Sequence, residues 1–129
     1  WLLAMTETMK IFVFGNPDVK EDSLPVKLMP QLKKEFPNIE FLHLDPNEEW
    51  DIPEHFIAID TVEGIDDIIV INSLDQLQNT SAVTMHDWDV GKNLKWLQKL
   101  GKIKKITIIG VPSQLKIVDL ISSIRALAS

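Results

Sequence analysis

The sequence contains no cysteine, and this absence removes several kinds of chemistry at once. Disulfide bonds, thiolate metal sites and a cysteine nucleophile are all excluded, while a reducing compartment is compatible. The chain has 129 residues, of which 45% are hydrophobic and 25% are charged. This is ordinary globular composition for one domain, with a core large enough to fold without cross-links.

An excess of positive charge and long apolar runs are also missing. The net charge is −6 and the isoelectric point is near 4.9, which argues against nucleic acid because phosphate binding needs clustered Lys and Arg. No apolar run approaches the roughly 20 residues of a membrane span, so we expect no membrane partner. Residues 1–8 lack the basic flank of a signal peptide. We expect them to be an extension or a cloning remnant before a single domain over residues 9–129.

The familiar catalytic signatures are absent as well. The chain has no G-x-S-x-G elbow, H-E-x-x-H pair, Walker loop or G-x-G-x-x-G turn. No serine stands where a Ser-His-Asp triad could begin. Nucleophilic catalysis is therefore poorly supported.

Hydrophobic periodicity predicts eight elements. Short apolar runs bounded by turn residues are typical of buried strands. They cover residues 10–14, 39–44, 56–59, 68–71 and 106–109. Apolar residues three or four apart predict helices. They cover residues 24–36, 90–100 and 117–127. This order predicts an α/β fold with a mixed, mostly parallel five-stranded sheet and helices on both faces.

The connection between the third and fourth predicted strands is short and contains Gly64. It is too short for a helical crossover, so we expect residues 56–61 and 67–71 to pair as an antiparallel hairpin. The fourth strand then ends at the opposite edge of the sheet. The long polar loop after the fourth strand has enough residues to bring the chain back to the edge at which the third strand ends.

Ligands of open α/β sheets bind beyond the carboxyl ends of the strands, and this rule selects three residues. Asp22 follows the first strand at the start of the first helix, and Asp60 ends the third strand. His86 follows the long loop after the fourth strand. Their convergence at one edge is more informative than any one of them.

Each of these residues also has a purely structural interpretation. Asp22 could be only a helix N-cap, and Asp60 could bond the backbone of its own turn. His86 could be a loop histidine bonded to Asp87. Glu21 is an alternative ligand to Asp22 if the loop is shifted.

The other two histidines are weaker candidates. His43 lies inside a predicted strand, where it can point to solvent or to a helix. His55 starts a strand, so we expect it at the end of the sheet away from Asp60.

Four short motifs follow one another along the chain. They are residues 13–17 (Val-Phe-Gly-Asn-Pro) with an acidic pair shortly after, residues 59–64 (Ile-Asp-Thr-Val-Glu-Gly), residues 84–87 (Thr-Met-His-Asp) and residues 108–112 (Ile-Ile-Gly-Val-Pro). Together they resemble the motifs of nickel-iron hydrogenase maturation proteases. The resemblance runs from about residue 9 to residue 112.

The resemblance implies a fold, an activity and a partner. The fold would be a three-layer, phosphorylase/hydrolase-like sandwich with a five-stranded twisted sheet between helices. The activity would be removal of the C-terminal extension from a hydrogenase large-subunit precursor after nickel insertion, in the cytoplasm. Asp22, Asp60 and His86 would sense nickel in the precursor or act in catalysis, and no tightly bound organic cofactor is expected. Two carboxylates and one imidazole suit a borderline metal such as nickel.

Two other functions compete with this one. The same fold could be a non-catalytic module that binds a metal or a partner. A receiver-like signalling domain, with Asp60 as phosphoacceptor, would need an acidic pair directly after the first strand. Gly15 and Asn16 stand there instead. It would also need a strictly parallel sheet.

Overall fold

The computed structural model describes residues 9–15, 23–44, 55–62, 64–73, 76 and 105–128. The strands are β1 (Met9–Phe14), β2 (Ile39–Leu44), β3 (His55–Thr61), β4 (Ile69–Ile71) and β5 (Lys105–Val111), and the helices are α1 (Leu24–Glu35) and α2 (Ile117–Ala128). The strands form one sheet in the order β2-β1-β3-β5-β4. All neighbouring pairs are parallel except β4 with β5. The predicted α/β class with a mixed, mostly parallel five-stranded sheet is confirmed.

The centre of the sheet consists of β1, β3 and β5. These strands are nearly continuous apolar runs, and every residue from Phe56 to Thr61 and from Ile106 to Val111 is buried. Such runs belong in the interior of a parallel sheet, because both faces of the strand must be covered. The seven residues of β3 pair in register with the seven of β5, from His55 opposite Lys105 to Thr61 opposite Val111.

The predicted hairpin between residues 56–61 and 67–71 is wrong. One antiparallel strand was expected, and β4 is antiparallel. It pairs with β5, however, and not with β3. β5 lies between β3 and β4. The chain therefore leaves β3, passes the end of β5 and returns on its far side.

Burial explains this arrangement better than chain proximity does. β5 is apolar on both faces and gains most in the interior, whereas β4 has three residues and leaves Val70 46% exposed. Stepping over one strand spans about 10 Å, twice the spacing of neighbouring strands. Residues 62–68 easily bridge that gap, since an extended chain advances about 3.3 Å per residue. Gly64 supplies a turn in this segment with a φ of 82°, a conformation that favours glycine.

One face of the sheet, here called the helix face, is covered by α1 and α2. The sheet contributes Ile11, Val13, Phe41, Ile57, Ile59, Ile109 and Val111, and the helices contribute Met29, Leu32, Leu120 and Ile124. In α1 the buried side chains are Pro25, Met29 and Leu32. This is the i, i+4, i+7 stripe of an amphipathic helix, with the predicted spacing of three or four residues.

The opposite face, here called the aromatic face, contains Phe12, Phe14, Phe56, Ala58, Val62, Ile71, Ile106 and Ile108. Phe56 stacks on Phe12 with ring centroids 5.3 Å apart and meets the edge of Phe14 at 6.4 Å. Both described helices lie on the other face. The helix predicted over residues 90–100 lies outside the described residues, so the third layer of the sandwich remains a prediction. Within the described ranges, neither helix is long and apolar enough to cross a bilayer.

The aromatic face generates a stability prediction. Phe56→Ala should lower the free energy of unfolding by about 3–5 kcal/mol, because Phe56 is fully buried and its removal leaves a cavity beside Phe12. Val70→Ala, on exposed β4, should change it by less than about 0.5 kcal/mol. Urea unfolding followed by circular dichroism measures both. Similar losses in the two variants would contradict the central position of β3.

Candidate functional site

The carboxyl ends of β1, β2, β3 and β5 meet at one edge of the sheet, because these four strands are parallel. Here this is called the carboxyl edge. Asp60 lies there, as predicted, one residue before the end of β3. β3 is the central strand of the five, with β1 on one side and β5 on the other, and Asp60 itself is paired with β5. This is the location at which open α/β sheets bind ligands.

Asp60 is fully buried, with none of its surface exposed to solvent. Side chains alternate along a strand, and Ala58 and Val62, two residues before and after it, both pack in the aromatic face. Asp60 therefore belongs to that face. Its register partner is Gly110 of β5, which in turn faces Ile69 of β4. A carboxylate thus stands at the end of an apolar surface, beside a strand position that carries no side chain.

The other two predicted site residues, Asp22 and His86, lie outside the described residues, as does the alternative ligand Glu21. Their approach to Asp60 stays a prediction. Within the ranges that the structure does describe, no group of three or more His, Cys, Asp or Glu side chains is arranged to hold a metal ion. Ser23, directly before α1, has helical backbone angles and makes no side-chain capping bond, so the interpretation of Asp22 as an N-cap also stays a prediction.

Thr61 follows Asp60 and is also buried, with 5% of its surface exposed. By alternation its side chain lies on the helix face, opposite Val111. None of the described residues offers a hydrogen-bond partner to its hydroxyl oxygen. A buried hydroxyl costs free energy unless it is hydrogen bonded, so among the described residues nothing offsets the burial of the Thr61 hydroxyl.

His43 brings the end of β2 to the end of β1. Its ring Nε2–H donates a hydrogen bond of 2.7 Å to the carbonyl oxygen of Gly15, the residue directly after β1. The ring is exposed, in agreement with the expectation that it points to solvent. Gly15 has a φ of 150° and begins the Gly-Asn-Pro turn of the first motif.

His55 lies at the opposite end of the sheet, as predicted. Its ring Nε2 is hydrogen bonded to the hydroxyl of Thr107 at 2.8 Å. Burial lowers the pKa of His55 below its ordinary value of about 6.5, and the positive charge of Lys105 lowers it further. This histidine stabilises the amino ends of β3 and β5 and is remote from Asp60.

A polar groove of about 450 Å³ lies between α2 and the segment before β4. Asp66, Asp67 and Asp119 contribute negative charge, and Lys116 contributes one positive charge. Pro112, which directly follows β5, also lines it. The groove therefore lies next to the carboxyl edge, on the side of β5 away from β3.

The sequence patterns did not indicate the contact of His43 with Gly15 or the burial of Thr61. A parallel register between the first two strands places His43 opposite Val13, and this pairing would have indicated that its ring can reach Gly15. Thr61 gives no such signal, because threonine is common in strands and its burial depends on every neighbouring element.

Compared with models of known families, with curated proteins and with solved structures, the chain matches none of them. The resemblance to hydrogenase maturation proteases therefore rests on the four motifs themselves. Of those motifs, residues 13–15, 59–62, 64 and 108–112 are described, and they lie at or beside the carboxyl ends of β1, β3 and β5.

Thr61 and Thr107 allow a matched test of the buried hydroxyls. Thr61→Val should raise the free energy of unfolding by about 1 kcal/mol, because it removes a buried hydroxyl to which none of the described residues offers a hydrogen bond. Thr107→Val should lower it by about 1 kcal/mol, because the bond to His55 is lost. Thermal and urea unfolding measure both. Equal destabilisation would show that Thr61 has a partner in the folded chain.

The lowered pKa of His55 predicts a pH-dependent contribution to stability. The unfolded chain binds a proton at His55 near pH 6.5, and the folded chain binds it only at lower pH. The contribution is therefore complete above pH 6.5 and is lost as the pH falls through that value. In urea unfolding at pH 7.5 and 5.5, His55→Gln should lose less stability on acidification than the wild type does. An equal loss in both proteins would contradict this.

Proposed function

We propose that this protein is an endopeptidase that removes the C-terminal extension of a nickel-iron hydrogenase large-subunit precursor after nickel insertion, in the cytoplasm. The observation that carries the proposal is Asp60. It is a fully buried carboxylate at the carboxyl end of the central strand, and it stands within the motif that ends at Gly64. Asp22 and His86 complete the site in this proposal.

Asp60 is an ionisable residue at the end of an apolar strand. The residues before it in β3, from Phe56 to Ile59, are all apolar and buried. Buried carboxyl groups are uncommon in such surroundings and are concentrated at functional sites, which supports a role for Asp60 beyond packing. A local choice that conflicts with the surrounding core is typical of a functional position.

The chemistry of the proposal needs few groups. A water molecule adds to the carbonyl carbon of one peptide bond, a carboxylate accepts a proton from that water, and the C–N bond breaks as the proton passes to the leaving amine. The products are a new C-terminal carboxyl group and a free amino group on the released extension. Nickel belongs to the substrate, and Asp22, Asp60 and His86 would contact it once docking of the precursor uncovers the buried carboxyl group of Asp60. Correct docking supplies several kcal/mol towards the barrier, so a weak base suffices.

The antiparallel β4 argues against the receiver-like alternative, because that fold requires a strictly parallel sheet. A general protease is also disfavoured, because the sequence has no cysteine, no positioned serine and no zinc-protease motif. We therefore expect no activity on casein. The non-catalytic binding module shares the fold and the carboxylate, and only an assay of cleavage distinguishes it.

Cleavage of a precursor tests the proposal. The purified chain is incubated with the C-terminally extended large-subunit precursor from the same genome, either nickel-loaded or metal-free, and the products are measured by mass spectrometry. We expect cleavage of the loaded form only. Asp60→Asn should lower the rate at least about 100-fold, since it removes a charge at the reacting site. Asp67→Asn, a matched change at an exposed aspartate, should leave the rate unchanged.

The outcomes separate the competing functions. Equal cleavage of both precursors would refute metal sensing. Binding of the loaded form without cleavage would favour the non-catalytic module. Full activity in Asp60→Asn would remove the residue on which the proposal rests.

A further inference from the structure

We propose that the outer edge of β2 binds the C-terminal extension of the precursor as an added strand, an inference that rests on the proposed function. β2 is the first strand in the sheet order, with β1 on its inner side. None of the described strands pairs with its outer side. The backbone N–H and C=O groups of such an edge are a template for one more extended chain.

β2 lacks the features by which proteins protect an edge strand, which are short length, proline, bulges and lysine. It has six residues, Ile39–Leu44, and pairs with β1 residue for residue, without a bulge. It contains no proline, glycine or lysine. β4, at the other side of the sheet, has only three residues and is antiparallel to β5, so its carboxyl end lies away from Asp60.

A groove of about 420 Å³ lies along the edge of β2. It is lined by four consecutive residues of the strand, Ile39 to Leu42, together with Lys33 of α1 and Pro37. Consecutive residues of a strand point to opposite faces, so a cavity that contacts all four follows the edge of the strand and not one face of the sheet. Its volume lies within the range of about 300–1,000 Å³ that is typical of ligand sites.

The strand register connects this groove with Asp60. His43 of β2 is paired with Val13 of β1, and Val13 is paired with Ile59 of β3. The end of β2 is therefore level with the end of β3 at the carboxyl edge. An added strand lies three strand spacings from β3, about 14 Å, which about four or five extended residues span. A chain bound along β2 can thus cross the ends of β2 and β1 and bring one peptide bond to Asp60.

The charges favour a weakly charged chain end over a second copy of this protein. Each copy carries a net charge of −6, and like net charges oppose association. Around the groove, Lys33 and Glu40 contribute one charge of each sign, so the groove does not select a strongly charged segment. A chain end also lies along the edge without a second strand of its own, as an extension of the precursor would.

Hydrogen exchange of the backbone amides, followed by NMR in the full chain, tests strand addition. The probe is a synthetic peptide with the sequence of the extension. At a peptide concentration about ten times its dissociation constant, alternate amides of residues 39–44 should exchange about 10-fold more slowly, because they exchange only from the free protein. Residues 69–71 of β4 are the internal control and should not change.

Three exchange results would overturn the proposal. The first is an absence of slowing in β2, which includes a peptide that does not bind. The second is equal slowing in β2 and β4. The third is slow exchange of all β2 amides before the peptide is added, because the chain would then cover its own edge.

Cysteine cross-linking is a second measurement, since the chain has no cysteine of its own. Glu40→Cys introduces one thiol at the exposed edge of β2, and Val70→Cys, the matched control, introduces one on exposed β4. A peptide with one activated cysteine should form a disulfide at least about 10-fold faster with Glu40→Cys, because binding raises the effective concentration of the two sulfur atoms. Equal rates, or a disulfide-linked homodimer of Glu40→Cys without peptide, would contradict the proposal.

Cleavage of the nickel-loaded precursor by the wild type separates this inference from the proposed function. If the precursor is not cleaved, the proposed function fails, and exchange and cross-linking still decide whether β2 binds the peptide. If it is cleaved but β2 shows neither slowing nor cross-linking, the proposed function stands and strand addition is wrong.

Discussion

Burial of both faces of β1, β3 and β5 is the constraint on which the rest of the described structure depends. Each of these strands presents apolar side chains to the helix face and to the aromatic face, and none is stable at an exposed edge. The sheet therefore needs a further strand on each side, which β2 and β4 provide. On one face α1 and α2 supply Met29, Leu32, Leu120 and Ile124 to the same core. Contacts outside this core contribute less, and the ion pair of Arg125 with Glu35 at 2.6 Å is largely exposed.

The same constraint determines the topology. A hairpin between β3 and β4 would pair two strands joined by a short connection, but it would place one of the most apolar strands, β5, further from the centre of the sheet. Pairing all of β3 with β5 buries both, and it moves the three-residue β4 to the outside, where Val70 is half exposed. The connection from β3 to β4 passes the end of β5 with a turn at Gly64. Long-range burial thus outweighs short-range connection.

Within the described strands, the buried polar side chains are His-bonded Thr107 near the amino end of β5 and Asp60 and Thr61 at the carboxyl end of β3. At the amino ends, His55 and Thr107 satisfy each other. At the carboxyl edge, Asp60 and Thr61 are buried on opposite faces of β3, and the ring of His43 is hydrogen bonded to the carbonyl oxygen of Gly15. The two ends therefore differ, because the amino ends carry a mutually bonded His–Thr pair and the carboxyl edge carries a buried aspartate. This asymmetry is what directs the functional proposal to the carboxyl edge.

The sequence by itself determined the strands, the two described helices, the α/β class and the position of Asp60, because apolar periodicity and turn residues act locally. It also indicated that one strand runs antiparallel. Only the tertiary structure decided that β5 separates β3 from β4, since the choice depends on which strand gains most from burial. The contact of His43 with Gly15 and the buried hydroxyl of Thr61 likewise come from strand register, which brings together residues far apart in the chain. Local sequence patterns specify the helices and strands, and the gain from burying each strand decides which strands become neighbours in the sheet.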